Sequence, residues 1–216
     1  MYIPKSFNES NTEVMHDLIR AHPLSTLVTN SSTGFNANHI PFYLMANETY
    51  GLLQGHVARA NPLWHDLSNT EVLVVFQGVN TYISPSWYAT KTQTGRVVPT
   101  WNYAAVHAYG TLRVIEDATW LRAQLNALTT QQEAKFEQPW AVDDAPLSYT
   151  DQLIKHAIVG IEITITRLEG KWKVSQNQPS ENQSSVVEAL NASNDLRHIE
   201  MAQLIQEQHK QNTNID

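Results

Sequence analysis

Short apolar runs, separated by Gly, Asn and Ser, dominate the first third of the chain. Four of these runs predict antiparallel strands, over residues 24–30, 39–46, 50–56 and 71–78. Two later segments, 106–116 and 161–166, alternate apolar and polar residues along their length. Half-buried strands have this period of two, so the pattern predicts a mainly β protein.

Helical patterns occur before, between and after these strands. Ser10 and Glu13 have the spacing of a capping box, and the apolar residues after them predict a short amphipathic helix that Pro23 ends. Asp117 could cap a second helix, inserted between the two alternating segments, with Leu121, Leu125 and Leu128 near helical spacing. After Val174 the chain turns polar and then becomes weakly amphipathic. We therefore expect a main domain over 1–178, followed by a polar linker and C-terminal helical tail over 179–216.

Composition limits the possible functions. The chain of 216 residues is 42% hydrophobic, enough for one sizeable core. It contains no Cys, which excludes disulfides, thiolate nucleophiles and Cys-ligated metals, so redox chemistry would need a bound cofactor. No apolar run has membrane-spanning length and no leader pattern is seen, so we expect a cytoplasmic protein that does not bind membranes.

The charge pattern disfavours direct DNA binding. Fourteen basic residues against 21 acidic residues give a formal net charge of −7, and no basic cluster is denser than Lys171 with Lys173. A helix-turn-helix pattern is also not evident. The nine His residues are scattered without metal-ligand spacing, so no metal site is expected and most are interpreted as surface or capping residues.

The stretch from Tyr82 to Gly110 concentrates two Trp and four Tyr around short polar residues, as in YISPSWYATK and VPTWNYAAVHAYG. With MYIPKSF at the start, GHVARANPLW at 55–64 and GKWKVSQNQ at 170–178, it resembles the PaiB family of FMN-binding negative transcriptional regulators. The resemblance covers nearly the whole chain in four ordered motifs. It implies an FMN-binding split β-barrel, an antiparallel Greek-key barrel with an N-terminal helix, inserted helices and a C-terminal helix, usually dimeric.

An FMN site first needs donors for a phosphate that carries close to two negative charges. Arg59 can supply a fork of N–H donors, and His and Asn side chains nearby can add hydrogen bonds. The resemblance implies that the phosphate and ribityl chain lie against GHVARANP and NHIPF, at His39, Ile40, Pro41, His56, Ala58, Arg59 and Asn61. Pro41 would belong at a sheet edge or beside a ligand, because it withholds an N–H from the strand ladder.

The flavin ring needs a flat apolar slot with a few polar groups. The resemblance places Trp101, Asn102 and Tyr103 against the ring, and Trp87, Lys91, Ser175 and Gln176 near the cofactor, across a dimer seam or within one chain. The alternatives remain open. The aromatics could fill the core or the dimer seam, Lys91 could be a solvated surface ammonium, and Ser175 with Gln176 could form a turn.

Three functions follow as hypotheses. The first is a flavin-dependent sensor or regulator without its own DNA-reading helix, as the resemblance implies. The second is an FMN-dependent oxidoreductase acting on a small molecule, with Tyr103, Tyr109 or His107 as a proton donor. The third is haem binding or breakdown, in which His107 or His56 would approach iron.

Overall fold

The computed structural model describes residues 1–31, 34–46, 49–65 and 67–213. These residues divide into two compact units. Unit A comprises residues 1–11, 77–106 and 169–216, and unit B comprises residues 12–76 and 107–168. Three long strands run through the boundaries between these ranges.

Helices and strands follow one another without a repeat. The strands are β1 (Asn8–Glu9), β2 (Leu24–Ser31), β3 (Gly34–Pro41), β4 (Tyr43–Met45), β5 (Leu52–Ala58), β6 (Thr70–Ile83), β7 (Thr100–Ile115) and β8 (Ile158–Lys173). The helices are α1 (Thr12–Ala21), α2 (Lys91–Thr94), α3 (Ala118–Glu133), α4 (Leu147–His156), α5 (Ser180–Asn191) and α6 (Leu196–Thr213). Short 3-10 turns cover Lys5–Phe7, Pro62–Trp64, Pro85–Trp87 and Val142–Asp144.

Within the described residues, the eight strands form one mainly antiparallel sheet. Its order is β3-β2-β6-β7-β8-β5-β4, and β1 pairs with β8. Strand β3 lies at one edge, paired only with β2, and Thr26 of β2 lies opposite His39. Strand β5 pairs with β8, where His56 lies opposite Gly160. The position of Pro41 at the end of an edge strand agrees with its missing N–H donor.

The core of unit B explains its elements. Helix α1 buries Met15, Leu18 and Ile19 at helical spacing. Helix α3 begins where the Asp117 side chain accepts a hydrogen bond from the Trp120 N–H at 2.7 Å, as the sequence predicts. Strands β2 and β5 alternate buried and more exposed residues, whereas residues 159–163 of β8 are all buried. Their fully buried side chains include Leu27, Leu53, Ile161 and Ile163.

In unit A the segment 179–216, expected to be a polar linker and helical tail, enters a helix at its second residue. Helix α5 begins at Ser180, inside the polar segment, and packs against α6. Val186 and Leu190 of α5 are fully buried, as are Met201 and Ile205 of α6 to within 1%. Burial of these four apolar side chains holds two helices that are otherwise polar.

The strand predictions are confirmed with different bounds. The predicted strand over 39–46 is two strands, because Phe42 leaves the ladder and its N–H donates to the Pro23 carbonyl at 3.0 Å. The alternation along β7 and β8 is confirmed. The exception is Glu162, which is buried and accepts hydrogen bonds from Gln54 at 2.9 Å and Arg113 at 2.8 Å.

Two glycines permit close approach in unit B. A Cβ added at Gly110 would lie 2.3 Å from the Thr164 backbone oxygen, and one at Gly160 would lie 2.5 Å from the Trp120 ring. Both positions therefore require glycine for packing.

Across the part of the chain that the structure describes, none of the helices combines the length and the apolar character needed to span a bilayer.

Candidate functional site

In unit B a side-chain hydrogen bond joins the two motifs expected to hold the phosphate end of FMN. Asn61 follows β5, and its Nδ2 donates to Asn38 Oδ1 of β3 at 2.9 Å. The Asn61 Oδ1 accepts from the Leu63 N–H at 3.0 Å and caps the turn over Pro62–Trp64. The hydrogen bond joins residues 23 positions apart in sequence. Such proximity is required if the two motifs face one ligand-binding cleft.

Burial separates the predicted residues of this group. His39 and Pro41 are exposed on β3, whereas Ile40 between them is buried with 4% exposure. Ala58 is exposed at the end of β5, and His56 is half-buried. Ile40 therefore packs in the core and can contact a ligand only through its backbone, while the other four present side chains that a ligand can reach.

Arg59 is held in place by the protein itself. Its Nη1 donates to Glu116 Oε2 at 2.6 Å, and its Nη2 donates to the Ile158 carbonyl at 3.2 Å. The guanidinium carbon lies 5.6 Å from the centre of the Trp64 ring. The Nε is buried and has no hydrogen-bond partner among the described residues. A phosphate bound here would compete with Glu116 for the same guanidinium.

His56 has a buried partner that the sequence did not indicate. Its Nδ1 lies 2.9 Å from Oε1 of Gln124 on α3. Gln124 is 1% exposed, and its Nε2 has no hydrogen-bond partner among the described residues. A carbonyl oxygen only accepts, so Nδ1 carries the proton of this hydrogen bond.

In unit A the ring-contact motif and the GKWKVSQNQ motif meet through Asn102. This residue is 0% exposed on β7, and its Nδ2 donates to Ser175 Oγ at 2.9 Å. Ser175 is buried and has a left-handed backbone with φ of 65°, an uncommon conformation for a residue other than Gly. Such backbone strain occurs most often at ligand-binding sites.

The side-chain oxygen of Asn102 shows whether these residues can fit a flavin. Its Oδ1 is buried and has no hydrogen-bond partner among the residues described. A buried carbonyl oxygen without a donor is unfavourable, and a ring that carries an N–H could supply that donor after a small side-chain adjustment. The residues present therefore fit the edge of a flavin ring.

Lys173 fixes the start of β7. Its Nζ donates to Thr100 Oγ1 at 2.5 Å and to the Trp101 carbonyl at 2.6 Å. Desolvation, and then the charge of Lys171, lowers the pKa of the Lys173 ammonium. Gln176 closes the adjacent turn, because its side chain accepts from the Val174 N–H at 2.8 Å and donates to the Trp172 carbonyl.

Trp101 presents a large apolar surface, with 55% of the residue exposed. Its ring meets that of Tyr82, itself 44% exposed, edge to face at 6.1 Å. Tyr103 is half-buried, with the Lys171 ammonium 5.3 Å from its ring centre. Exposed aromatic pairs of this kind suit a flat ligand or a partner surface.

Trp87 and Lys91 have other neighbours. The Trp87 ring contacts His198 of α6 edge to face at 5.9 Å, and Lys91 Nζ donates to Ser86 Oγ at 3.1 Å. Asn182 of α5 holds this loop through the Thr90 N–H at 3.1 Å. Trp87 thus contacts α6, and Lys91 donates within its own loop, which α5 holds through Thr90.

Among the nine His residues, of which most were expected at the surface or in caps, His16 is an exception. His16 is buried with 1% exposure, and its Nε2 lies 2.8 Å from the Tyr50 carbonyl, so it is a core residue rather than a surface residue. Glu116, which is 56% exposed, forms the ion pair with Arg59. His107 is half-buried beside the Tyr109 ring, 6.4 Å between centres.

Comparison with known families assigns the sequence. Residues 1–167 match the family model described as "Putative FMN-binding domain". The chain is 31% identical to the Bacillus subtilis protein "Protease synthase and sporulation protein PAI 2", over 97% of this chain and 99% of that protein. It is 38% identical to an uncharacterized protein of Emericella nidulans, over 87% of this chain and 89% of the relative.

Solved structures share the fold at low sequence identity. The FAD and haem binding protein of Mycobacterium smegmatis has a TM-score of 0.57 at 16% identity, covering 77% of this chain and 73% of that chain. The flavocytochrome Anf3 of Azotobacter vinelandii has a TM-score of 0.54 at 12% identity, covering 79% and 72%. The predicted class, a split β-barrel with inserted and terminal helices, is confirmed.

Proposed function

The chain belongs to the FMN-binding PaiB family, with FMN as its cofactor, and from that premise we propose that it is a flavin-dependent regulator. The observation that carries the flavin site is the hydrogen bond from Asn61 to Asn38, which joins the GHVARANP and NHIPF motifs. A sequence likeness along 97% of the chain to the PAI 2 protein supports the same assignment.

In unit B, we propose that the phosphate and ribityl chain of FMN lie against His39, Ile40, Pro41, His56, Ala58, Arg59 and Asn61. His39 is exposed and His56 is half-buried, so both can reach a ligand. Arg59 is already oriented by Glu116 and Ile158, which lowers the entropy cost of holding its side chain for a phosphate. FMN supplies reversible electron and hydride transfer when bound, and these residues bind and orient it.

In unit A, we propose that Trp101, Asn102 and Tyr103 contact a flavin ring, with Ser175, Gln176, Trp87 and Lys91 as supporting residues. The exposed face of Trp101 and the unpaired acceptor of Asn102 support this proposal. Ser175 orients the Asn102 amide through a 2.9 Å hydrogen bond, so the carbonyl direction is set before a ligand arrives.

The regulatory part of the proposal does not include direct reading of DNA. The net charge of −7 opposes approach to a polyanion, and phosphate contacts normally supply most of the affinity for DNA. Regulation would therefore act through a partner protein or a metabolite. Steady consumption of NADH or NADPH by the FMN-loaded protein would show an oxidoreductase instead, whereas a regulator should give no sustained turnover.

We also propose a cytoplasmic homodimer. In unit A the exposed rings of Trp101 and Tyr82 contact each other, and Val98, three residues before Trp101 in sequence, is 72% exposed. Exposed apolar side chains of this kind suit an interface. Light scattering coupled to size-exclusion chromatography measures the mass directly. A mass of one chain at micromolar concentration would contradict the dimer.

The flavin site is tested by equilibrium titration of FMN into cofactor-free protein, followed by flavin fluorescence. Asn38→Ala removes the acceptor that joins the two motifs, so we expect roughly three- to ten-fold weaker binding. Asn36→Ala, two residues along β3, is the matched control, because the hydrogen bond that Asn36 accepts from Asn38 at 2.8 Å lies within β3 and does not join the two motifs. Equal affinity of wild type and Asn38→Ala would contradict the placement of FMN at these motifs.

A further inference from the structure

In the proposed phosphate and ribityl group, His56 has a buried hydrogen-bond partner that can select its tautomer. Its Nδ1 pairs with Gln124 Oε1 at 2.9 Å, across 68 residues of sequence. Its Nε2 makes no hydrogen bond within the described residues and is not buried, so a ligand can reach it. The two ring nitrogens therefore have different roles.

Gln124 decides which role each nitrogen takes. A carbonyl oxygen requires the proton on Nδ1, and a neutral imidazole carries only one proton. The Nε2 of a neutral His56 is consequently a hydrogen-bond acceptor. A phosphate of FMN offers acceptor oxygens at neutral pH, so it cannot pair with this nitrogen, whereas a hydroxyl group can donate to it.

Burial indicates that the Gln124 amide is held rather than free to rotate. Gln124 is 1% exposed on α3, and its Nε2 lacks a hydrogen-bond partner in the described part of the chain. An unpaired buried N–H group costs on the order of 1–3 kcal/mol. The Gln124 amide thus accepts from His56 while its own N–H group stays unpaired, as expected of a residue that positions another.

We propose that Gln124 is a positioning residue that holds His56 in the Nδ1–H tautomer, so that Nε2 accepts a hydrogen bond from a ribityl hydroxyl of the flavin. This inference rests on the proposed flavin site and deepens it. In this arrangement His56 binds the ribityl chain, and the other hydrogen-bond donors of the group in unit B bind the phosphate.

The experiment compares two ligands that differ only in the phosphate, FMN and riboflavin. Gln124→Met keeps the length of the side chain and removes the acceptor. At about pH 8, where an ordinary histidine is neutral, we expect both ligands to bind roughly three- to ten-fold more weakly. Gln131→Met is the matched control, because Gln131 also lies on α3 and its side chain donates to the Arg20 carbonyl at 3.2 Å.

A second measurement does not depend on any ligand. The nitrogen chemical shifts of ¹⁵N-labelled histidine distinguish the two tautomers, and a His56→Asn variant identifies the His56 signals. Cofactor-free wild type should show His56 with its proton on Nδ1, and Gln124→Met should lose that preference. Thermal unfolding of each variant confirms that it is folded.

Several results would overturn the inference. A loss confined to FMN would place the phosphate at His56, and an equal loss in Gln131→Met would make the effect a general one of α3. A wild-type proton on Nε2 would mean that the amide of Gln124 donates rather than accepts. Failure of wild type to bind either ligand would instead refute the proposed flavin site, while the tautomer measurement would still report on Gln124.

Discussion

Replacing Glu116 by Gln should strengthen FMN binding. Glu116 Oε2 lies 2.6 Å from Nη1 of Arg59, the proposed phosphate anchor. The two side chains are 56% and 30% exposed, respectively. The substitution keeps the size of residue 116 but removes the carboxylate charge that competes with a phosphate, and the net charge changes from −7 to −6 (−7 + 1).

Two contributions set the expected size. In the wild type, Arg59 gives up its ion pair with Glu116 when it binds a phosphate, and an exposed ion pair is worth about 0.2–1 kcal/mol. The Glu116→Gln variant has no such ion pair to lose. A phosphate and a carboxylate that share one guanidinium also repel each other by about 1 kcal/mol in water-like surroundings. Because Glu116 is more than half exposed, solvent screening reduces the sum, and we expect a gain of about 1 kcal/mol, roughly five-fold in affinity.

The assay is fluorescence titration with FMN and with riboflavin at low and high salt. Only FMN should gain affinity, and the gain should shrink at about 1 M salt, where charges are screened within about 3 Å. Asp151→Asn is the matched control, since its pair with Arg122 has the same 2.6 Å distance and similar exposure, 60% and 25%. Unchanged or weaker FMN binding in Glu116→Gln, or an equal gain for riboflavin, would refute the role of Arg59.

Three further predictions concern stability. Ser175→Gly and Ser175→Ala both leave Asn102 Nδ2 without its acceptor, but only the Gly variant relieves the left-handed backbone. Urea unfolding should therefore find the Ala variant less stable than the Gly variant by about 1 kcal/mol. Equal stability of the two variants would contradict the backbone strain. Gly110→Ala should lower the melting temperature more than Gly160→Ala, because the first clashes with backbone and the second with a ring that can shift; the reverse order would contradict this. The pKa of Asp195 is lowered from 3.8 to about 2, first by the side-chain hydrogen bond from Arg197, so its stabilisation is present above pH 3.8 and is lost as pH falls towards 2. Circular dichroism of Asp195→Asn should lack that part of the acid transition, and identical acid titrations of both proteins would contradict it.

Elements with one buried face were predictable from the sequence. The alternation along β7 and β8 has a period of two because the opposite faces of each strand differ in burial, and Asp117 caps α3 through a local contact. The break at Phe42 was not predictable, because an apolar run looks the same whether or not one N–H leaves the ladder for the Pro23 carbonyl. Helix α5 was predicted only as part of the C-terminal helical tail, because its polar first turns hide where it begins and the burial of Val186 and Leu190 depends on α6.

The candidate site divides in the same way. Motifs place neighbouring residues such as Arg59 and Asn61 together, and the family resemblance predicts Ser175 near the cofactor, although its partner Asn102 lies 73 residues away. The partners of Arg59 and His56 lie 57 and 68 residues away, at Glu116 and Gln124. No local pattern marks a Glu or Gln as such a partner, since the sheet and α3 bring them there only when the chain folds.

Titration of the cofactor-free protein with FMN tests the central claim most directly. The account predicts saturable quenching of flavin fluorescence with one FMN per chain, and flavin absorption bands that remain with the protein after gel filtration. Flavin fluorescence that stays unquenched at a large excess of protein would contradict it, as would purified protein whose visible spectrum is an intense Soret band without flavin bands.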